Sequence, residues 1–271
     1  LKYLHGTYRV TSDLILRASF NDSITRPNLN NLAGGVTINE DPNPHTANIP
    51  NPDLQPEHGR NLNFAVEYYF PKRAGFFTVT AARRDIENLI RSDVYTLDPT
   101  EDFPNQEGLD LRGFRVTTFD NVGRAHVGTL EFSYRQNMVF LPGLWRGLSI
   151  FANYTRLRYD DYENFRRPAN LTSGGLSFGH RELSLRWNFV WVPIHRRGAI
   201  PANGWVTMTG ERLTHDMKFA YRFSSRVSVF VNARNIFNKP QRTYWGPARS
   251  DLVTGTSDYG AIWTVGMRGQ F

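Results

Sequence analysis

From Tyr259 to Phe271 the chain reads YGAIWTVGMRGQF, and its apolar residues fall on every second position. Tyr259, Ala261, Trp263, Val265, Met267, Gly269 and Phe271 form one face. Gly260, Thr264, Gly266, Arg268 and Gln270 form the other, broken only by Ile262. A period of two sustained this long predicts a strand with an apolar medium on one side and a polar one on the other. Soluble strands are mostly about five or six residues long, whereas a tilted strand crossing a bilayer takes about 9 to 11. Tyr259 and Trp263 toward one end, and Phe271 at the other, stand where a membrane-spanning strand carries its interfacial aromatic girdles.

The same alternation recurs upstream. Leu14, Leu16, Ala18 and Phe20 alternate with Arg17, Ser19 and Asn21, and Leu62, Phe64, Val66, Tyr68 and Phe70 with Asn61, Asn63, Glu67 and Tyr69. Phe77, Val79 and Ala81 face away from Thr78 and Thr80, in a strand that continues less regularly to about Ser92. Residues 111–140 read as one long strand, bulged near Asn121 to Gly123, with Leu130, Phe132 and Tyr134 opposite Glu131, Ser133 and Arg135. Leu148, Ile150, Ala152 and Tyr154 follow, then a weak strand at 171–178. Leu183, Leu185, Trp187, Phe189 and Trp191 oppose Glu182, Ser184, Arg186 and Asn188. Leu213, Met217, Phe219, Tyr221 and Phe223 oppose Thr214, Asp216, Lys218 and Arg222, and Val227, Val229, Val231 and Ala233 oppose Ser228, Asn232 and Arg234. With an ambiguous first strand over residues 1–8, about eleven strands are expected.

Short links near 9–12, 71–75, 141–146, 179–181 and 224–226 alternate with long, Pro-, Gly- and Asn-rich stretches at 22–57, 93–110, 159–170, 194–210 and 238–258. All long connections therefore lie on one side. Short turns on one rim and long loops on the other are the habit of outer-membrane barrels, with the long loops extracellular. The pattern predicts an all-β, antiparallel up-and-down transmembrane β-barrel. Eleven is an odd number and leaves two unpaired edges, so strands are expected upstream; Leu1 is no start methionine, and no signal-peptide pattern follows it.

Composition fits a wall wetted on one side. Apolar residues make up 40% of the chain and mean hydropathy is −0.47, so nothing approaches the roughly 18 consecutive apolar residues of a membrane helix. Aromatic content is 14%, which suits interfacial belts, and cysteine is absent, which removes disulfides and thiolate metal sites. Net charge is +7, almost all of it arginine, the lysines being Lys2, Lys72, Lys218 and Lys239. These charges are spread singly over many strands beside Glu and Asp, which argues for solvated charge and against a nucleic-acid partner. Nor is an enzyme indicated. GxxxxGK and HExxH are both missing, and His45 and His58 share a loop with no Cys and no ligand pair beside them. His215 and Asp216 are neighbours on a strand and point to opposite faces, so they form no triad. No metal or cofactor is expected.

ITRPNLNNL, NPDLQPE before a strand ending EYYFP, ARRDIENLI, NVG with GTLEFSY, VNARNIFNKP and the closing aromatic strand occur in that order. Together they resemble the carboxy-terminal half of the barrel of a TonB-dependent outer-membrane receptor, over essentially the whole chain. The resemblance implies a Gram-negative outer-membrane protein with a barrel of about 22 strands around an amino-terminal plug. It would take up a scarce nutrient such as a siderophore, cobalamin or carbohydrate. Energy would come from the TonB complex acting on a box ahead of the plug. Plug, box and signal peptide are then expected outside residues 1–271, which form the wall. The closing strand, with Trp263, Val265, Met267 and Phe271, would be the signature read by the barrel assembly machinery. A non-transporting barrel such as an outer-membrane hydrolase or adhesin is the second reading.

On this frame Arg17, Glu67, Glu131, Arg135, Arg186, Lys218, Arg222, Arg234 and Arg268 are expected to face the lumen, mostly in charge ladders between wall and plug. Ligand capture is expected in the long loops. Arg26, Asn28, Asn30 and Asn31 would offer hydrogen bonds there, and Tyr244 or Trp245 a stacking face for a sugar or aromatic ligand. The prolines of RPNL and NPDLQPE would shape the loop; for the asparagines both roles stay open.

Overall fold

The computed structural model describes residues 1–41, 45–96, 110–160, 168–197, 205–246 and 252–269. Among them the strands, in chain order, begin with β1 (Tyr3–Arg9), β2 (Leu14–Thr25), β3 (Thr37–Asn39), β4 (Thr46–Asn48) and β5 (Glu57–Tyr69). Then come β6 (Gly75–Glu87), β7 (Ile90–Thr96), β8 (Arg115–Asn121), β9 (Arg124–Asn137) and β10 (Leu148–Tyr159). Next are β11 (Asn170–His180), β12 (Leu183–Val192), β13 (His195–Arg196), β14 (Val206–Thr209) and β15 (Arg212–Arg222). The last are β16 (Val227–Arg234), β17 (Gln241–Gly246), β18 (Val253–Ser257) and β19 (Ile262–Gly269). Among the described residues the helical content is one five-residue α1 (Leu29–Ala33) and two short 3₁₀ turns.

Eleven strands make one sheet in the order β1-β2-β5-β6-β9-β10-β11-β12-β15-β16-β19, with β1 and β19 as its edges. This is the expected meander. β9 has 14 residues and β5 and β6 have 13 each, well beyond the roughly five or six of a typical soluble strand. Among the described residues no helix is long and apolar enough to cross a membrane.

The chain divides into two compact units, one of residues 1–4, 20–62 and 84–126, the other of residues 5–19, 63–83 and 127–271. In the first, β3, β4, β8 and β7 form a separate sheet in that order. Ala47, Ile49, Leu111, Phe114 and Val116 form its buried core, flanked by Val36 and Ile38; Val116 is 0% exposed. Residues 22–57, expected to be a long loop, therefore contribute two strands to a folded sheet. Its β4–β8 pairing is parallel, an exception to the antiparallel rule of the large sheet.

Residues 111–140 are two strands in different sheets, not one bulged strand. The break sits at Val122–Gly123, where Gly123 has φ +108°, a conformation that a side chain would strain. Leu89, 2% exposed, closes it: its N–H donates to Gly123 O at 3.0 Å and its carbonyl accepts from Val122 N–H at 2.8 Å. β6 likewise ends at Glu87, before Asn88 at φ +55°, and β7 begins anew.

In the second unit the register lays out apolar rows on one face. Leu185 pairs with Phe219, Phe219 with Val231 and Val231 with Val265; one step along, Trp187, Met217, Ala233 and Trp263 stand in line. Trp263, Val265 and Met267 are 64%, 75% and 73% exposed, an apolar face that suits lipid better than water. Phe271 lies outside the described residues. β13, β14, β17 and β18 form a further sheet within stretches expected to be loops.

Candidate functional site

Opposite the apolar rows lies a polar face, and its two ends differ in how the charges are matched. In the first hairpins Arg17 Nε donates to Glu67 Oε1 at 2.8 Å, and Tyr69 Oη donates to Glu67 Oε2 at 3.0 Å. Asn63 Nδ2 donates to Ser19 Oγ at 3.3 Å on the same face. These bonds tie β2 to β5 along the polar face. Further along, Glu131 pairs across the sheet with Thr155 and Arg135 with Phe151. Arg135 also lines a hollow of about 620 Å³ with Asp13, Tyr69 and Lys72.

Over β12, β15, β16 and β19 the match is lost. Arg186 stands opposite Lys218, Lys218 opposite Asn232 and Asn232 opposite Thr264; Arg222 stands opposite Ser228, and Ser228 opposite Arg268. Asn188 is opposite Asp216, and Arg234 opposite Ile262. Among the described residues Arg186, Lys218, Arg222, Arg234 and Arg268 have no ion-pair partner. Asp216 does not serve them: its Oδ1 accepts the Asn235 backbone N–H at 3.0 Å. Two aromatics that alternation alone did not reveal share this face. Phe151 lies against Gly175, where a Cβ would come within 2.8 Å of the ring, and Phe230 covers Gly266, where it would come within 2.5 Å. The signal was present as a glycine across each strand pair, visible only once register is known.

His215 and Asp216 do point apart. The His215 ring lies 5.6 Å from Trp187, 6.3 Å from Phe189 and 4.8 Å from Phe237, on the apolar face, while Asp216 is on the polar one. His45 Nδ1 contacts Glu40 O at 2.7 Å and its ring rests 5.2 Å from Phe114, and His58 is exposed on β5. Among the described residues no three His, Asp or Glu side chains gather as metal ligands.

The loop candidates fall into two groups. Asn28 caps α1, its Oδ1 accepting from Asn30 N–H at 3.0 Å, and its carbonyl accepts Asn31 N–H at 2.9 Å; Asn31 O accepts Asn51 N–H at 2.7 Å. Asn51 of NPDLQPE also donates through Nδ2 to Phe119 O at 3.0 Å, and Glu57 Oε1 accepts Ile90 N–H at 2.9 Å. These bonds tie the motif to the backbone at Phe119 and Ile90. Arg26, Asn28 and Asn30 remain exposed. Tyr244 and Trp245, adjacent on β17, point to opposite faces. Trp245 packs on Trp205 with centroids 4.5 Å apart, whereas Tyr244 lines a hollow of about 340 Å³ with Glu211, Lys239, Pro240 and Arg242. Lys239 Nζ donates to Glu211 Oε1 at 2.7 Å, and with a further hydrogen bond from Trp191 this holds the Glu211 carboxyl below its ordinary pKa.

The long, two-faced strands are matched in known proteins. The ferric enterobactin receptor PfeA of Pseudomonas aeruginosa, as a variant in complex with enterobactin, superposes with a TM-score of 0.75 at 17% identity, over 99% of this chain and 40% of that one. The siderophore receptor PirA of Acinetobacter baumannii gives 0.72 at 15% identity, over 99% and 40%. P. aeruginosa FpvA bound to a heterologous pyoverdine gives 0.64 at 15% identity, over 99% and 32%. At these identities the likeness shows the fold, and this chain spans about 40% of the length of the first of these proteins. No curated protein matches the sequence. None of these similarities supports a hydrolase or an adhesin. The model of the TonB dependent receptor-like β-barrel matches residues 3–236, and the chain belongs to that family, whose barrels lie in the outer membrane of Gram-negative bacteria.

Proposed function

We propose that this chain is part of the barrel wall of a receptor that carries a ferric siderophore across the outer membrane, driven by the TonB complex. One observation carries the reading most directly: an eleven-stranded meander with exposed apolar rows on one face and a polar, charged face behind them, within a TonB-dependent receptor barrel family. Such a division serves a wall between lipid and a wet lumen. That the structural neighbours are siderophore receptors favours a ferric chelate over cobalamin or a carbohydrate. On this reading the polar face meets the plug and the passing solute. The rim with the long excursions faces outward, where Arg26, Asn28, Asn30, Asn31 and the Tyr244 hollow take part in capture. The plug, the TonB box and the remaining strands belong to the longer protein, and the closing strand serves barrel assembly.

The test is deletion of the full-length gene in the parent bacterium, followed by radioiron uptake from a panel of ferric siderophores under iron limitation. Uptake of at least one chelate is expected to be lost, and a protonophore is expected to abolish the same uptake in the wild type. Unchanged uptake of every chelate would overturn the reading, and a growth defect on cobalamin or oligosaccharides in its place would assign the wall to those solutes.

A further inference from the structure

The two sets of connections in the eleven-stranded meander carry opposite charge. The five short links, 9–12, 71–75, 141–146, 179–181 and 224–226, hold six cations, Arg9, Lys72, Arg73, Arg146, Arg181 and Arg226, and no acidic residue. Every short link has at least one. The long stretches at 22–57, 93–110, 159–170, 194–210 and 238–258 hold sixteen acidic residues against eight cations. Pairing differs in the same sense. Beside the long stretches Arg60 lies 3.6 Å and Arg124 3.8 Å from Glu87, and Lys239 lies 2.7 Å from Glu211. Arg9, Lys72, Arg146, Arg181 and Arg226 are exposed and, among the described residues, have no ion-pair partner.

Two further features mark the short links. Val10, Phe140, Leu144, Trp145 and Phe223 stand exposed within or next to them, continuing the apolar face of the strands toward the cations. Lys72 and Arg181 have φ +58° and +51°, left-handed positions that Gly or Asn fills at less cost than a long side chain. The turns thus keep a cation where local geometry favours another residue. Gly147 lies against the Gly179 carbonyl, so the turns carrying Arg146 and Arg181 adjoin in one patch.

We propose that the short-link rim binds the phosphodiester headgroups of anionic phospholipids in the periplasmic leaflet. An exposed aromatic beside a guanidinium is the chemistry of a membrane interface, where the ring sits at headgroup level and the cation meets phosphate oxygens. Links of three to six residues carry their charge no more than about 10 Å past the strands, which keeps it close to the headgroup layer. Repetition in every short link makes an arc along the rim, which suits a surface of many small anions better than one folded partner. The long stretches, with their acidic excess, offer no such surface. The inference rests on the barrel standing in the membrane with its long excursions outward, and not on which solute passes through it.

The experiment places purified full-length receptor in phosphatidylcholine bilayers and reads, by electron spin resonance, the share of spin-labelled lipid held at the protein. Two labels are compared, anionic phosphatidylglycerol and zwitterionic phosphatidylcholine. The wild type should hold the anionic label at least about twofold more than the zwitterionic one, with the excess falling as salt rises. Arg9→Gln, Lys72→Gln, Arg146→Gln, Arg181→Gln and Arg226→Gln combined should remove at least about half of that excess. The charge-keeping set Arg9→Lys, Arg146→Lys, Arg181→Lys and Arg226→Lys should retain it, as should Arg60→Gln, Arg112→Gln and Arg124→Gln beside the long stretches. Where the fivefold variant fails to insert, Arg146→Gln with Arg181→Gln gives the same reading on the one patch. Equal retention of the two labels by the wild type overturns the proposal, and an acidic periplasmic protein found on the rim instead does so too. An excess that survives neutralisation of the short links also overturns it. No solute or energy source enters the measurement, so equal retention with iron uptake intact sinks this inference alone. A clear excess in a receptor whose deletion leaves every uptake unchanged sinks only the transport reading.

Discussion

The two small sheets, each built from two of the long excursions, solve the problem of an ordered loop in different ways. β3, β4, β8 and β7 enclose a core of their own, with Ala47, Phe114 and Val116 at 1%, 9% and 0% exposure. β13, β14, β17 and β18 enclose no comparable cluster among the described residues. There Val206 is buried, and order comes from backbone pairing, the Trp205–Trp245 contact and the Glu211–Lys239 ion pair. The first sheet is held by the hydrophobic effect and should unfold as a unit; the second is held by separate polar and aromatic contacts and should loosen piecemeal.

The largest expected effect is at Phe114. Phe114→Ala removes the largest side chain of the first core and should cost that sheet about 3 kcal/mol. Hydrogen exchange on the intact receptor should then show β4 and β8 amides losing protection together while β14 and β17 are unchanged. Loss confined to residues next to Phe114 would end the claim that this sheet is one cooperative unit. In the second sheet Trp245→Ala forfeits the contact with Trp205, worth about 1 kcal/mol beyond area, and should speed exchange at Thr207, its partner in the pairing, more than at His195. A uniform rise across β13, β14 and β17 would erase the proposed difference between the sheets.

The smallest effect is electrostatic. Glu211 has a lowered pKa, so its pair with Lys239 contributes stability that is fully present above the ordinary carboxylate range and is lost as pH falls through the depressed folded value. Both side chains are close to half exposed, which limits the contribution to roughly 0.5 kcal/mol. Lys239→Met should therefore raise exchange near Glu211 slightly at neutral pH and make no difference in strong acid. A variant that matches the wild type at neutral pH would remove this pair from the account. In the first sheet the corresponding surface pair belongs to a turn: Arg112 bonds Asp110 through Nε at 2.8 Å and lowers its carboxyl to about 2.

What could be read from the chain follows the same divide. The large sheet was legible because a period of two over ten or more residues survives local exceptions such as Ile262. The small sheets were not. β3 and β4 have three residues each, too few for alternation to show, and β8 pairs with β4 in parallel across distant sequence. The split between β8 and β9 was invisible for a related reason, since a strong strand pattern on both sides of Gly123 reads as continuity. Of the candidate site, the polar face was legible residue by residue. The absence of partners for Arg186, Lys218 and Arg234 was not, because it depends on which strand lies beside which.

β1 and β19 stand first and eleventh in a sheet whose neighbouring strands alternate in direction, so the two borders run the same way. Zipping one directly onto the other would make a parallel seam, and two copies inserted in the same orientation would meet with two such seams. A ring closed by antiparallel bonds alone takes an odd number of additional strands between these borders. The backbone of this segment thus sets the parity of whatever completes it.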